Sequence, residues 1–189
     1  MRIISGNLKG SKIANPNSKN TRPLKDLTKE SIFNILQHDN LINFSFENSA
    51  ILDIFSGVGS FGLECISRGS KSVIFCENYP ETIRILEKNI HDLNCEKKTE
   101  IIKENIFSII NLNKLKKSKF EVIFLDPPYR EKKLVNLLEN IINLKLLKKK
   151  GIVVIHRHKS ENEIYPKNLK ILKIKTYGIS KIIFGLVIQ

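Results

Sequence analysis

An apolar run from Val122 to Leu125 ends abruptly in Asp126-Pro127-Pro128-Tyr129. A short apolar stretch closed by breakers reads as a buried strand. Proline lacks an amide proton and fixes φ, so Pro127 and Pro128 end the sheet ladder and hold the backbone extended. The result is a stiff corner at the carboxyl end of a strand, the end at which open α/β sheets bind ligands. This corner offers a carboxylate, backbone carbonyls that no neighbouring strand needs, and an aromatic ring. An exocyclic amine on a nucleobase is complementary to that set: it needs acceptors for two N–H bonds and a face to stack on. The plainer alternative is an ordinary strand-to-loop turn with a solvated Asp126.

The chain around this corner alternates strand and helix from residue 50 onward. Strands are expected at Ala50–Phe55, Ser72–Glu77, 99–103, through Asp126, at Ile152–Ile155, 169–176 and 181–188. Between them the periodicity predicts a helix ending at Arg68-Gly69, one over 79–94 with Ile83, Leu86, Ile90 and Leu93 on one face, and one over 106–117. A further helix carries Leu134, Leu137, Leu138, Ile141 and Ile142 and is closed by Lys148-Lys149-Lys150 and Gly151. Tyr177-Gly178 joins the last two strands as a hairpin. The class is therefore α/β: a mostly parallel seven-stranded sheet with a C-terminal antiparallel hairpin, whose reversed strand is expected at the edge.

Residues 1 to about 20 alternate short apolar pieces with Gly6, Gly10 and Pro16, which suggests a small separate hairpin. Thr21-Arg22-Pro23 then introduces a helix with Ile32, Phe33, Ile35 and Leu36 on one face. The expected division is 1–45, a basic arm and helix, and 46–189, the α/β domain. Through residue 30 there are seven basic side chains (Arg2, Lys9, Lys12, Lys19, Arg22, Lys25, Lys29) against two acidic ones. Such clustering reads as a phosphate-tracking appendage, the alternative being a solvated hairpin that only packs on the core. The whole chain of 189 residues carries a formal net charge of +13, which favours polyanionic partners, nucleic acid first. No apolar run approaches the roughly 18 residues that span a bilayer. The start Met1-Arg2-Ile3-Ile4-Ser5-Gly6 has no signal-peptide core, so a cytoplasmic protein is expected. Cys65, Cys76 and Cys95 are too scattered for a zinc cage or a disulfide framework, and no metal is expected.

Gly57, Gly59 and Gly62 form G-x-G-x-x-G between a strand and a helix, a pattern that a dinucleotide fold also satisfies. Asp53, near the end of the first strand, points a carboxylate at this loop. It would repel a pyrophosphate and attract a ligand bearing an ammonium and a sulfonium, as S-adenosylmethionine does. Glu77 closes the second strand, where an acid accepts from a ribose diol, or else favours the following helix dipole. Asn105 meets the adenine edge or caps a helix. Phe55, Ser56, Asn78 and Ile106, beside these positions, complete the expected cofactor pocket.

Asp53-Ile54-Phe55-Ser56-Gly57-Val58-Gly59 together with Asp126-Pro127-Pro128-Tyr129 resembles the Rossmann-like amino methyltransferases. The runs Arg2–Gly6, Lys9–Lys12, Thr21–Pro23 and Glu30–Asn34 narrow this. Over nearly the whole chain the sequence is similar to the RsmD-type 16S rRNA guanine-N2 methyltransferases. The resemblance implies S-adenosylmethionine as cofactor and methyl transfer to the N2 amine of one guanine in 16S rRNA. It also implies a catalytic corner of Asp126, Pro127, Pro128 and Tyr129. Asp126 and the Pro127 carbonyl would accept the amino hydrogens while Tyr129 stacks. Arg2, Lys9, Lys12, Arg22, Lys25 and Arg130 would grip RNA, with the protein acting as a monomer. An adenine-N6 methyltransferase and a non-catalytic RNA-binding module are the alternatives. The chain departs from the family pattern at Leu27, where an arginine is usual, at Asn105, where an acid is common, and at His156, again in place of an acid. His156, Arg157 and His158 are expected to be exposed and RNA-facing.

Overall fold

The computed structural model describes residues 1–16 and 26–188, so Thr21-Arg22-Pro23, with Arg22 and Lys25, lies outside the described residues. Seven strands form one sheet: β1 Ala50–Ile54, β2 Ser72–Cys76, β3 Thr99–Ile102, β4 Phe120–Leu125, β5 Leu147–His158, β6 Leu169–Tyr177 and β7 Ser180–Val187. The helices are α1 Asp26–His38, α2 Ser60–Ser67, α3 Pro80–Asp92, α4 Ile109–Asn113 and α5 Leu134–Asn143. The strand order is β3-β2-β1-β4-β5-β7-β6. Strands β1 to β5 pair parallel, and β7 runs antiparallel to both β5 and β6. The reversed strand is thus interior and β6 is the edge, contrary to the expectation of a reversed edge strand. The reason is burial: Ile182, Ile183 and Phe184 of β7 are all buried, whereas β6 has many exposed positions.

The sheet is apolar on both faces, because helices cover both. Alternation by two splits β4 cleanly: Val122 and Phe124 face one core, Ile123 and Leu125 the other. The first core also takes Phe61 of α2, Leu86 and Ile90 of α3, and Ile32, Phe33 and Leu36 of α1. The second takes Leu112 of α4 and Leu134, Leu137, Leu138 and Ile141 of α5. No helix among the described residues is long and apolar enough to cross a membrane.

The N-terminal hairpin is built around an Arg2–Lys12 bridge, with Ile3 N–H bonded to the Ser11 carbonyl at 2.9 Å. Ile3 and Ile13 are buried in the first core, while Arg2, Lys9 and Lys12 are exposed. Lys29, counted above with the basic arm, is fully buried: its Nζ donates to the Arg2 carbonyl at 2.8 Å. Helix α4 is shorter than expected, and its coil tapers away through turns such as Ser118 N–H to the Leu115 carbonyl at 2.8 Å. Lys148–Lys150 does not close α5 but belongs to β5, which begins at Leu147. The β4–β5 register jumps from Phe120–Leu147 to Val122–Ile152, so the lysines bulge out of the ladder, and Lys148 pairs with Glu121.

Candidate active site

The strand order reverses between β1 and β4, the crevice where ligands bind in open α/β sheets. Three acids gather at the carboxyl ends of the adjacent strands β2, β1 and β4. Ile54 pairs with both Cys76 and Leu125, so Glu77 and Asp126 each stand one residue beyond that level, and Asp53 one before it. Asp53 is fully buried. Burial, joined by the charges of Asp126 and Glu77, pushes its carboxyl well above the usual carboxylate range; the Gly62 N–H, which it accepts at 3.0 Å, pulls the other way. Asp126 and Glu77 thus both stand near enough to Asp53 for their charges to act on it.

The loop after β1 borders these strand ends. Phe55 takes left-handed φ of 61°, a strained conformation for a bulky residue, and its ring rests on Phe107 at 5.4 Å. Gly57 has φ of 55° and nothing within 4 Å of where a Cβ would stand, leaving open room beside the loop backbone. Gly62 serves packing instead: a Cβ there would fall 2.3 Å from the Phe75 ring, so α2 lies directly on β2. Glu77 accepts the amides of Gly57, Asn78 and Tyr79, each at 2.9 Å. That leaves about one of a carboxylate's roughly four acceptor positions for a ligand. Two of the buried polar atoms that have no hydrogen-bond partner among the described residues, Asp53 Oδ1 and Ser56 Oγ, lie here. An unpaired acid oxygen, a hydroxyl and an open glycine loop fit a ligand with an ammonium, a carboxylate and a diol. Asn105 is exposed; its Oδ1 accepts the Phe107 amide at 3.0 Å, a local turn of the kind that competes with a ligand role. Ile106 is buried among the apolar residues of the second core.

Because burial favours the protonated form of Asp53, that form's contribution to stability is complete below the ordinary carboxylate value of about 4 and is lost as pH rises through the raised folded value. Asp53→Asn mimics the protonated acid. Urea unfolding of wild type and variant should therefore agree at pH 4, with wild type growing relatively less stable as pH increases.

The Asp126 corner is braced by its neighbouring strand. The Asp126 amide donates to the Ile54 carbonyl at 3.2 Å, continuing the β1 ladder by one step. The Asp126 side chain is 24% exposed, and its Oδ1 lies 2.8 Å from His156 Nδ1. Arg157 donates to the Pro128 carbonyl and the Glu131 carbonyl, both at 3.1 Å, and pairs with Glu163. The Pro128 carbonyl is thus occupied, whereas among the described residues no hydrogen bond reaches that of Pro127. Tyr129 meets the His156 ring edge-on at 5.9 Å and the His158 ring at 5.2 Å. Arg130 beside it is exposed.

His156 and Arg157 are 7% and 1% exposed, which corrects the expectation that they face outward. Their polarity is answered from within, by an acid on one side and by carbonyls and Glu163 on the other, so a polar run at a strand end is here a buried brace. The one hint in the sequence was position: these residues directly continue the apolar run Ile152–Ile155.

The family model described as conserved hypothetical protein 95 matches residues 1–185. The ribosomal RNA small subunit methyltransferase D of Buchnera aphidicola (from Acyrthosiphon pisum) is 38% identical, covering 92% of this chain and 86% of its own. The Haemophilus influenzae protein of the same name is 34% identical, covering 95% and 90%. Among solved structures, the H. influenzae protein HI0767 superposes with a TM-score of 0.75 at 29% identity, covering 100% of this chain and 98% of that one. Switch-point crevice, acid triad and full-length similarity agree: the chain belongs to the conserved hypothetical protein 95 family, that of the small-subunit ribosomal RNA methyltransferases D.

Proposed function

We propose that the protein transfers a methyl group from S-adenosylmethionine to the exocyclic N2 amine of a guanine in 16S rRNA, acting as a cytoplasmic monomer. The observation that carries this reading is the convergence of Glu77, Asp53 and Asp126 at three adjacent strand ends, with Asp126 set in a rigid proline corner. The cofactor, when bound, supplies an electrophilic methyl on a sulfonium. Asp53, Ser56, Gly57 and Glu77 would hold it, with Phe55, Gly59, Gly62, Asn78, Asn105 and Ile106 shaping or bordering its pocket.

The guanine amino lone pair is delocalised into its ring, so the nitrogen is a poor nucleophile and the protein's task is mainly to position it. Correct placement is worth roughly 7–11 kcal/mol in favourable cases. Asp126 and the Pro127 carbonyl accept the two amino hydrogens, which directs the nitrogen lone pair outward. Asp126 then takes the proton that leaves the amine. Tyr129 stacks on the base, which must swing out of its surroundings to enter the corner. Exposed Arg2, Lys9, Lys12 and Arg130 hold the RNA backbone, joined by Arg22 and Lys25. Stacking contributes about 1–3 kcal/mol per base. Tyr129→Phe should therefore retain most transfer, and Tyr129→Ala should lose about 5- to 150-fold in kcat/KM.

The deciding experiment supplies labelled cofactor, with 16S rRNA and small subunits from a strain lacking the enzyme, followed by nucleoside analysis. N2-methylguanosine is expected. N6-methyladenosine would replace this reading with an adenine methyltransferase, and no transfer despite cofactor binding would leave an RNA-binding module.

A further inference from the structure

We infer that His156 is a positioning residue for this reaction, its Nδ1–H fixing one oxygen of Asp126 so that the other alone faces the substrate amine. The inference rests on the methyltransfer reading above. Three observations carry it: the 2.8 Å Nδ1–Oδ1 contact, the near-complete burial of the ring, and the solitary Nε2. A bare Nδ1 would set two lone pairs against each other across that contact, so Nδ1 carries the hydrogen. Nε2 is buried without a partner among the described residues. A hydrogen there would be a buried donor with no acceptor among the described residues. The tautomer is thereby assigned from the hydrogen bonding: Nδ1–H with a bare Nε2.

The consequence is a one-sided acid. Asp126 Oδ1 accepts from the imidazole, and no hydrogen bond among the described residues reaches Oδ2. A freely rotating carboxylate would present either oxygen over a range of angles; this one is held in a single orientation. The same imidazole meets the Tyr129 ring edge-on at 5.9 Å, beside His158 at 5.2 Å, so one side chain bears on both the acceptor and the stacking face. Arg157, the adjacent cation, is turned to Glu163, Glu161 and two carbonyls rather than to Asp126.

The test uses two variants and a spectroscopic measurement. In His156→Asn the side-chain amide occupies the place of Nδ1–H and keeps the donor; His156→Leu fills similar space without one. The leucine variant is expected to lose about 10- to 100-fold in kcat, the range for a hydrogen bond to a charged group, with both KM values little changed. The asparagine variant should recover most of that loss. Nitrogen-15 NMR of histidine-labelled protein should show one resonance set of the Nδ1–H tautomer, missing in His156→Asn and altered in Asp126→Asn. An Nε2–H tautomer, wild-type rates in the leucine variant, or equal losses in both variants would overturn the inference. Absence of rRNA methylation by the wild type would instead count against the functional reading, since the NMR measurement needs no substrate.

Discussion

Replacing Asp126 by alanine should reduce methyl transfer by at least about 100- to 1,000-fold in kcat, the scale seen when one preorganised polar contact to reacting atoms is removed. Cofactor affinity, read by calorimetry, should stay within about threefold of wild type. The two outcomes separate because Asp126 is not part of the loop that shapes the pocket. That loop is held by Glu77 through the Gly57 amide and by Asp53 through the Gly62 amide. Asp126 instead lies outside this frame, linked to it by one backbone bond to Ile54 and to β5 by His156. Truncation also strands the His156 donor in a buried site, which adds a modest stability loss of about 1–3 kcal/mol. Thermal unfolding of the variant measures that part independently. Loss of cofactor binding equal to the loss of turnover would show that Asp126 belongs to the cofactor's pocket and not to the substrate's.

The central strands β4 and β5 were legible because burial on both sheet faces makes them apolar runs, as Val122–Leu125 and Ile152–Ile155 illustrate. The corner after β4 was legible for a different reason: two prolines leave the backbone few choices. What could not be read were the polar groups satisfied over long sequence distances. His156 meets Asp126 thirty residues away, and Lys29 meets the Arg2 carbonyl across twenty-seven. A charged side chain on an amphipathic helix ordinarily faces water, and nothing local in the sequence marks Lys29 as an exception. The place of β7 between β5 and β6 was hidden likewise, since a hairpin fixes that two strands pair but not which of them meets the rest of the sheet. The lysine run before Gly151 misled through composition: it resembles the basic last turn of a helix, yet it forms a bulge at the start of β5.

Glu64→Leu should destabilise the protein by about 3–5 kcal/mol, the cost of leaving a buried charge unpaired. Glu64 is wholly buried in the middle of α2, and its carboxylate is the fastening point of the N-terminal hairpin. One oxygen accepts the Ile4 amide at 2.7 Å and stands 3.6 Å from the Lys29 ammonium; the other accepts the Ser5 amide and Arg68 Nε, both at 2.9 Å. Arg68 is held in turn over the Phe33 ring at 4.4 Å, so the charge network continues into the aromatic core. Burial lowers the Lys29 pKa and the Glu64 charge opposes that shift, so desolvation outweighs the attraction between them. The pair is therefore poor as a source of net stability but expensive to break on one side. Lys29→Met should also cost several kcal/mol, and the double variant should cost clearly less than the sum, although the Ile4 and Ser5 amides remain unsatisfied. Urea unfolding followed by circular dichroism measures all three. Amide exchange should quicken across residues 2–13 in Glu64→Leu, and RNA affinity should fall with it, because Arg2, Lys9 and Lys12 ride on the hairpin that Glu64 fastens. Strict additivity of the two substitutions, or exchange unchanged in the hairpin, would mean that the arm is docked by Ile3, Ile13 and its hydrogen bonds to Ser67 and Asn89, and that the buried ion pair holds nothing in place.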